Sequence, residues 1–147
     1  MNSTNIKRIL MAEDDPRDAE LTLEALSEHN LANSIDVVSD GAEVLDYLYH
    51  RGNYANKING NPAVVLLDLK MPRLNGIDVL RTVKSDPGLR TIPIVILTSS
   101  REESDLKECY ELGVNAYVVK PVEFVEFMAA VKTLGAFWAI LNEVPKE

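Results

Sequence analysis

Five short apolar segments, each followed by a segment with helical periodicity, are the feature that most constrains the fold of this chain. The apolar segments are rich in branched residues and mostly continuous rather than alternating, which is typical of strands covered on both faces of a sheet. They lie at 6–11, 35–39, 63–67, 92–97 and 115–119. Because the β-α order repeats five times, we expect a five-stranded parallel sheet with right-handed crossovers and helices on both faces.

The predicted helices repeat apolar residues at helical spacing, so that each has one face for the sheet. They lie at 17–29, 41–50, 76–84, 103–113 and 123–141. The polar, Gly- and Asn-rich segment 51–62 predicts a surface loop. We therefore expect one α/β domain over 1–147, with a core of about 6–135 and a last helix extended to about residue 141.

Charge, cysteine content and the length of the apolar runs limit the partners and the cellular location that we expect. The formal net charge is -8, which disfavours nucleic acid and anionic lipid, since both require clustered Lys and Arg. Cys109 is the only cysteine, and its helical setting predicts a thiol that faces the core. The continuous apolar runs are shorter than a membrane span and the N-terminus lacks the apolar segment of a signal peptide, so we expect a cytoplasmic protein.

Acidic residues follow two of the predicted strands. The first strand ends in Glu13, Asp14 and Asp15, and the third ends in Asp68. Asp15 before Pro16 is typical of a helix start, which leaves Glu13 and Asp14 without a structural purpose. Because ligands bind beyond the carboxyl ends of parallel strands, we expect these carboxylates to converge at a binding site.

The same edge of the sheet should hold hydroxyl groups and an ammonium group. Thr98 and Ser99 end the fourth strand, and Lys120 with Pro121 follows the fifth. A few carboxylates suit Mg²⁺, with Mn²⁺ or Ca²⁺ in its place, and Asp68 could then attack phosphorus while Lys120 neutralises charge and Thr98 donates its hydroxyl. Each residue also has a structural alternative: Thr98 or Ser99 can cap the next helix, and Lys120 can be a solvated charge.

Four motifs occur in order along the chain: EDD at 13–15, D-x-x-M-P-x-x-x-G from Asp68 to Gly76, T-S at 98–99 and K-P at 120–121. This ordered set resembles the receiver domain of two-component response regulators. The resemblance implies a flavodoxin-like (βα)5 doubly wound sandwich and a signalling protein rather than an enzyme. It also implies that Asp68 accepts a phosphoryl group from the phosphohistidine of a sensor histidine kinase.

The resemblance implies a metal site built from the strand ends. Asp14 and Asp68 would be Mg²⁺ ligands, and Glu13 would bind the cation directly or through water. The backbone carbonyl of Lys70 would be a further ligand.

The resemblance also implies a phosphorylation switch. Lys120 would contact the phosphoryl group, and its bond to Pro121 would be a cis peptide. Thr98 would move towards the phosphoryl oxygens, and Tyr117 would turn inward to fill the space that Thr98 leaves. The face around the fourth helix and fifth strand would then differ between the two states.

The second helix with its RGNYAN loop and the tail LGAFWAILNEVP are similar to single-domain response regulators that pair with bacterial and cyanobacterial phytochromes. This similarity implies a phytochrome as the partner kinase. Because few residues follow the last helix, we expect no output domain and a signal that leaves through contacts with a downstream protein.

Large aromatic residues near the end of the last helix predict an interface. Phe137 and Trp138 lie about one to two turns past the point where a helix covering such a sheet needs to end. Aromatic residues there would be partly exposed on a monomer, and such patches usually mark an interface. A symmetric homodimer through the fifth helix, with help from the fourth helix or fifth strand, would cover them.

Three other functions fit part of the sequence. The main alternative is a pseudo-receiver that binds partners without phosphorylation, which the intact set of Asp14, Asp68, Thr98 and Lys120 disfavours. A phosphatase of the haloacid dehalogenase type requires a general acid where Lys70 stands. An FMN carrier of the flavodoxin type requires a Ser/Thr/Gly-rich phosphate loop after the first strand, and the sequence has none there.

Overall fold

The strands of the sheet follow the apolar segments closely. A computed structural model describes residues 7–27, 35–56 and 60–144. Its strands are β1 (Ile9–Ala12), β2 (Ile35–Val38), β3 (Val64–Leu67), β4 (Ile94–Thr98) and β5 (Ala116–Val119). All pairings are parallel, in the order β2-β1-β3-β4-β5. The chain reverses its direction across the sheet at β1, so the switch point lies between β1 and β3.

Five helices cover the two faces of this sheet. They are α1 (Pro16–Ser27), α2 (Gly41–Leu48), α3 (Gly76–Ser85), α4 (Glu103–Glu111) and α5 (Phe124–Gly135). A 3₁₀ turn, Gly52–Tyr54, follows α2, and α5 continues directly into a π-helical segment, Ala136–Leu141. The flavodoxin-like (βα)5 prediction is confirmed. The predicted residues 1–6, 28–29, 57–59 and 145–147 lie outside the described part of the chain.

Two apolar layers, one on each face of the sheet, form the core. Alternate residues along a strand point to opposite faces, so Leu10 and Val65 pack under α2, α3 and α4, while Ile9 and Leu66 pack under α1 and α5. Cys109 of α4 is fully buried in the first layer, which confirms the core-facing thiol.

The last helix is the most apolar of the five helices. Phe124–Leu141 has a mean hydropathy of 1.6 and, by length and composition alone, could cross a membrane, although Glu126 and Lys132 interrupt it. Phe127 and Val131 of this helix are buried in the second core layer, beside α1. One face of the helix therefore packs on the sheet like an ordinary core helix.

Candidate functional site

Three carboxylates converge beyond the strand ends, at the switch point. Glu13 and Asp14 follow β1, Asp68 follows β3, and one oxygen of each lies within 4.8 Å of the others. The backbone fixes this arrangement, because Glu13 N donates to Val38 O at 3.0 Å and Asp68 N donates to Ala12 O at 3.2 Å. Glu13 is 7% exposed and Asp68 9%, whereas Asp14 is open to solvent.

This donor set fits a hard divalent cation. Carboxylate oxygens are the ligands that Mg²⁺ prefers, and the exposed side of the cluster leaves room for water and a phosphate group. The structure brings Glu13, Asp14 and Asp68 together as predicted. Lys70 lies in the loop after β3, where its backbone N donates to Asp68 Oδ1 at 3.4 Å. It lines a cavity of about 540 Å³ together with Asp14.

Lys120 supplies the positive charge of the site. Its Nζ donates to Glu13 Oε1 at 2.6 Å, to Asp18 Oδ2 at 2.9 Å and to Asp68 Oδ2 at 3.4 Å. Its backbone N donates to Thr98 O at 2.7 Å, which anchors the residue at the end of β4. The side chain is only 9% exposed. An ammonium in contact with three carboxylates offsets much of their mutual repulsion.

Burial and their shared hydrogen bond shift the pKa values of Glu13 and Lys120. Burial raises the pKa of Glu13 to about 7, and the hydrogen bond from Lys120 counters this only in part. Burial alone would lower the pKa of Lys120, but its hydrogen bonds to Glu13 and Asp18 outweigh that effect and raise it. The ammonium therefore stays charged, while burial makes Glu13 easier to protonate than an exposed glutamate.

Thr98 and Tyr117 are linked through Ser100, which lies two residues after the end of β4. Thr98 is fully buried, and its Oγ1 accepts a hydrogen bond from Ser100 N at 3.2 Å. The half-buried Tyr117 donates its hydroxyl to Ser100 O at 3.3 Å. The alternative that Thr98 or Ser99 caps the next helix is wrong, because α4 follows Glu102 without a side-chain cap.

The loop between β3 and α3 folds back against Asp68. Gly76 N donates to Leu69 O at 2.8 Å, and a Cβ at position 76 would lie only 2.3 Å from Asp68 O. Only glycine fits this approach. Arg73 has a φ of 68°, in the left-handed region, and pairs with Asp40 at 3.3 Å. The loop therefore packs closely against the backbone of Asp68.

The peptide bond between Lys120 and Pro121 differs from the prediction. The described residues contain no cis peptide bond, so this bond is trans and the predicted cis peptide is wrong. An X–Pro bond has two isomers of similar energy, so the residue types alone do not determine which one forms.

Two acids at the site were missed by sequence reasoning. Asp18, in the first turn of α1, contacts Lys120, and Asp105 of α4 accepts a hydrogen bond from Ser100 Oγ at 2.6 Å. Their signal in the sequence is weak, because acids are common in the first turn of any helix.

The predicted interface residues lie on the π-helical segment. Phe137 is 47% exposed, whereas Trp138 is half-buried against the second core layer. Their rings meet edge to face, with 5.0 Å between centroids. Ile140 and Leu141 are also exposed, so Phe137, Ile140 and Leu141 form what we call the terminal apolar surface.

Sequence comparison relates the chain to one family. The model of the response regulator receiver domain matches residues 9–132, a range that includes Glu13, Asp68, Thr98 and Lys120. Response regulator Rcp1 of Synechocystis sp. is 34% identical over 132 residues, which cover 90% of this chain and 88% of Rcp1.

Structure comparison gives the same result. The Mn(2+)-bound form of Rcp1 has a TM-score of 0.88 at 33% identity, covering 95% of this chain and 99% of the other. The phosphorylated cyanobacterial phytochrome response regulator RcpA also has a TM-score of 0.88, at 36% identity, with coverage of 95% and 99%. The bacteriophytochrome response regulator RtBRR is 59% identical, with a TM-score of 0.75 and coverage of 95% and 84%.

Proposed function

Because the chain belongs to the response regulator receiver domain family, a group of signalling modules, we propose that it is a response regulator phosphorylated on Asp68. The observation that carries this proposal is the position of Asp68, which lies beside Glu13 and Asp14 and within 3.4 Å of the Lys120 ammonium. A sensor histidine kinase would be the donor. An Asp68 oxygen would form the new bond to phosphorus as the bond between phosphorus and the kinase histidine breaks.

Glu13, Asp14 and Asp68 would hold Mg²⁺, with the Lys70 carbonyl as a further ligand. When bound, the cation supplies positive charge to the transferring phosphoryl oxygens. The close grouping of the three carboxylates supports this assignment, as does the Mn(2+)-bound form of Rcp1. Lys120 would contribute a second positive charge to the same oxygens.

Phosphorylation would act through Thr98 and Tyr117. Thr98 Oγ1 would leave its contact with Ser100 N and donate its hydroxyl to a phosphoryl oxygen, which is a strong acceptor. Tyr117 would leave the Ser100 carbonyl and turn inward. The shared contact with Ser100 supports this coupling, because moving one residue disturbs the partner of the other.

A phytochrome is the proposed kinase. The similarity to RcpA and RtBRR, both described as phytochrome response regulators, supports this choice. The receiver would pass its signal to a downstream protein by contact. A phytochrome kinase loaded with labelled phosphate should transfer the label to the wild type and leave Asp68→Asn unlabelled.

A homodimer through the fifth helix completes the proposal. The terminal apolar surface places three large apolar side chains in solvent at one end of the molecule. A second copy of the chain would cover these residues, and the Trp138 ring would keep its edge-to-face contact with Phe137.

The direct test is phosphorylation with a small-molecule donor. Purified protein incubated with Mg²⁺ and acetyl phosphate should gain one phosphoryl group by intact-mass spectrometry, and Asp68→Asn should not. Asp15→Asn is the matched control, since asparagine can still cap α1 as Asp15 does. A wild type that gains no mass would contradict the proposal and favour the pseudo-receiver. Mapping of the group to Asp14 or Asp15 would contradict the assignment of Asp68.

A further inference from the structure

Lys120 has one carboxylate partner that the proposed phosphoryl chemistry does not use. Its Nζ lies 2.9 Å from Asp18 Oδ2, closer than the 3.4 Å to Asp68 Oδ2. Asp18 lies in the first turn of α1, and its side chain is 29% exposed. Asp18 is not in the group of carboxylates that converge for a cation, and its carboxylate reaches the site through the ammonium.

Two positive charges compete for Glu13 in the proposed site. Lys120 donates to Glu13 Oε1 at 2.6 Å, and the other oxygen of Glu13 accepts a hydrogen bond from Asp15 N at 3.2 Å. Both oxygens of Glu13 therefore already accept a hydrogen bond. A divalent cation that binds Glu13 must compete for them, and one of the two donors is an ammonium that is positively charged like the cation. A cation bound at Glu13 would be repelled by the neighbouring ammonium, which opposes metal binding.

We propose that Asp18 is a positioning residue, which keeps a carboxylate partner for Lys120 when a divalent cation takes Glu13. This inference rests on the proposed function. With Asp18 present, the ammonium exchanges Glu13 for a partner it already contacts, so its charge stays paired. Without Asp18, the same exchange leaves a nearly buried ammonium short of a partner, which is costly.

The substitution Asp18→Asn tests this idea with little other change. The carboxylate that caps α1 is that of Asp15, which accepts from Arg17 N at 2.9 Å, so the helix start does not depend on the Asp18 side chain. The backbone carbonyl of Asp18, which accepts from Thr22 Oγ1, is also retained. Asparagine has nearly the shape of aspartate, but it removes the charge and replaces one carboxylate oxygen with an NH2 donor.

The main competing explanation is that Asp18 attracts a cation simply through its negative charge. A double-mutant cycle with Lys120→Met separates the two. If Asp18 acts only through its own charge, its loss weakens metal binding equally whether or not Lys120 is present. If Asp18 acts by holding the ammonium, its loss weakens metal binding more when Lys120 is present than when Lys120 has been replaced.

Mn²⁺ is a suitable probe, because its free concentration can be read by electron paramagnetic resonance without any phosphoryl donor. In the wild-type background, Asp18→Asn should weaken Mn²⁺ binding by about threefold to tenfold, and in the Lys120→Met background by clearly less. Glu20→Gln is the control, since it removes an exposed acid from the same helix and should change the affinity little. Lys120→Gln provides the same comparison if Lys120→Met does not fold.

Equal losses in the two backgrounds, or no loss in either, would overturn the role of Asp18 and leave the proposed function intact. A wild type that binds no Mn²⁺ would overturn the metal-dependent function together with this inference. The two failures are therefore distinguishable within one set of titrations.

Discussion

Lys120 is shared by three carboxylates of the site, so its replacement affects all of them. Replacing it with alanine leaves Glu13, Asp18 and Asp68 without their shared ammonium. We expect the free energy of unfolding to fall by roughly 1–3 kcal/mol, the scale of a lost charged hydrogen bond, which a domain can tolerate. The variant should fold but gain the phosphoryl group slowly from acetyl phosphate.

Added Mg²⁺ should restore more stability to Lys120→Ala than to the wild type, because the cation replaces the missing positive charge. Thermal unfolding with and without Mg²⁺ measures this difference. Lys84→Ala is a useful control, since Lys84 is half-buried but bonds to the carbonyls of Arg90 and Ile92, far from the carboxylate cluster in sequence. Normal phosphorylation of Lys120→Ala would contradict the role given to Lys120.

Cys109 offers a probe of local opening. Burial, with smaller contributions from Asp105 and Glu108, raises the pKa of its thiol to about 11. Because this folded-state pKa lies above the ordinary value of 9.0, its stabilising effect is complete below pH 9 and is lost as the pH rises through 11. At pH 8 a disulfide reagent should label Cys109 slowly in native buffer and rapidly in denaturant. Rapid labelling of the native protein would show that α4 opens readily.

For individual residues, the sequence predicted the site residues that follow strand ends and missed the acids that reach the site from helices. Glu13, Asp68 and Lys120 were predictable because parallel strands bring their carboxyl ends to one edge. Asp18 was not, because its role depends on how α1 is oriented relative to β5. The trans bond before Pro121 depends on an energy difference that residue types do not reveal.

Among the structural elements, the loop between β3 and α3 is the most tightly constrained. Gly76→Ala places a methyl group 2.3 Å from Asp68 O, so the loop must move away from the proposed phosphoacceptor. We expect a loss of about 1–3 kcal/mol in unfolding free energy, and slower phosphorylation. Denaturant titration and the rate of mass gain measure the two effects.

Gly88→Ala is the matched control for this substitution. A Cβ at position 88 would meet only Asp86 Oδ1, at 3.3 Å, and that carboxylate can move aside. Stability should change by less than about 0.5 kcal/mol. If both substitutions had equal effects, the close packing of Gly76 on Asp68 would not be the cause.

Element types were more predictable than element ends. The third strand was expected at 63–67 and is observed at Val64–Leu67, because a continuous run of branched residues permits little else. The fifth helix was expected to reach about residue 141, and helical structure does end at Leu141. Its last six residues are π-helical, which sequence periodicity does not distinguish from α-helix over so short a span.

For the whole molecule, the two faces of the last helix have different roles. One face packs into the second core layer, and sequence periodicity was sufficient to predict it. The other carries the terminal apolar surface, and periodicity could not say how much of it would be covered. The two aromatic residues of the predicted interface differ in burial in the structure, because Trp138 is half-buried and Phe137 is exposed.

This distinction determines how self-association should be tested. Trp138→Ala would remove core packing as well as surface, so weaker association could then reflect lower stability. Phe137→Ala with Leu141→Ala truncates two exposed residues outside the core, Phe137 being 47% and Leu141 68% accessible to solvent. We expect wild type to sediment as a dimer at high micromolar concentration, and this double variant to sediment as a monomer with a nearly unchanged free energy of unfolding.

The control is Val37→Ala, which lies at an exposed position on the far edge strand β2 and should remain a dimer. A monomeric wild type would refute the dimer. A dimeric double variant would place the interface elsewhere, because in a symmetric dimer each substitution truncates the side chain in both copies and so removes two sets of contacts at once.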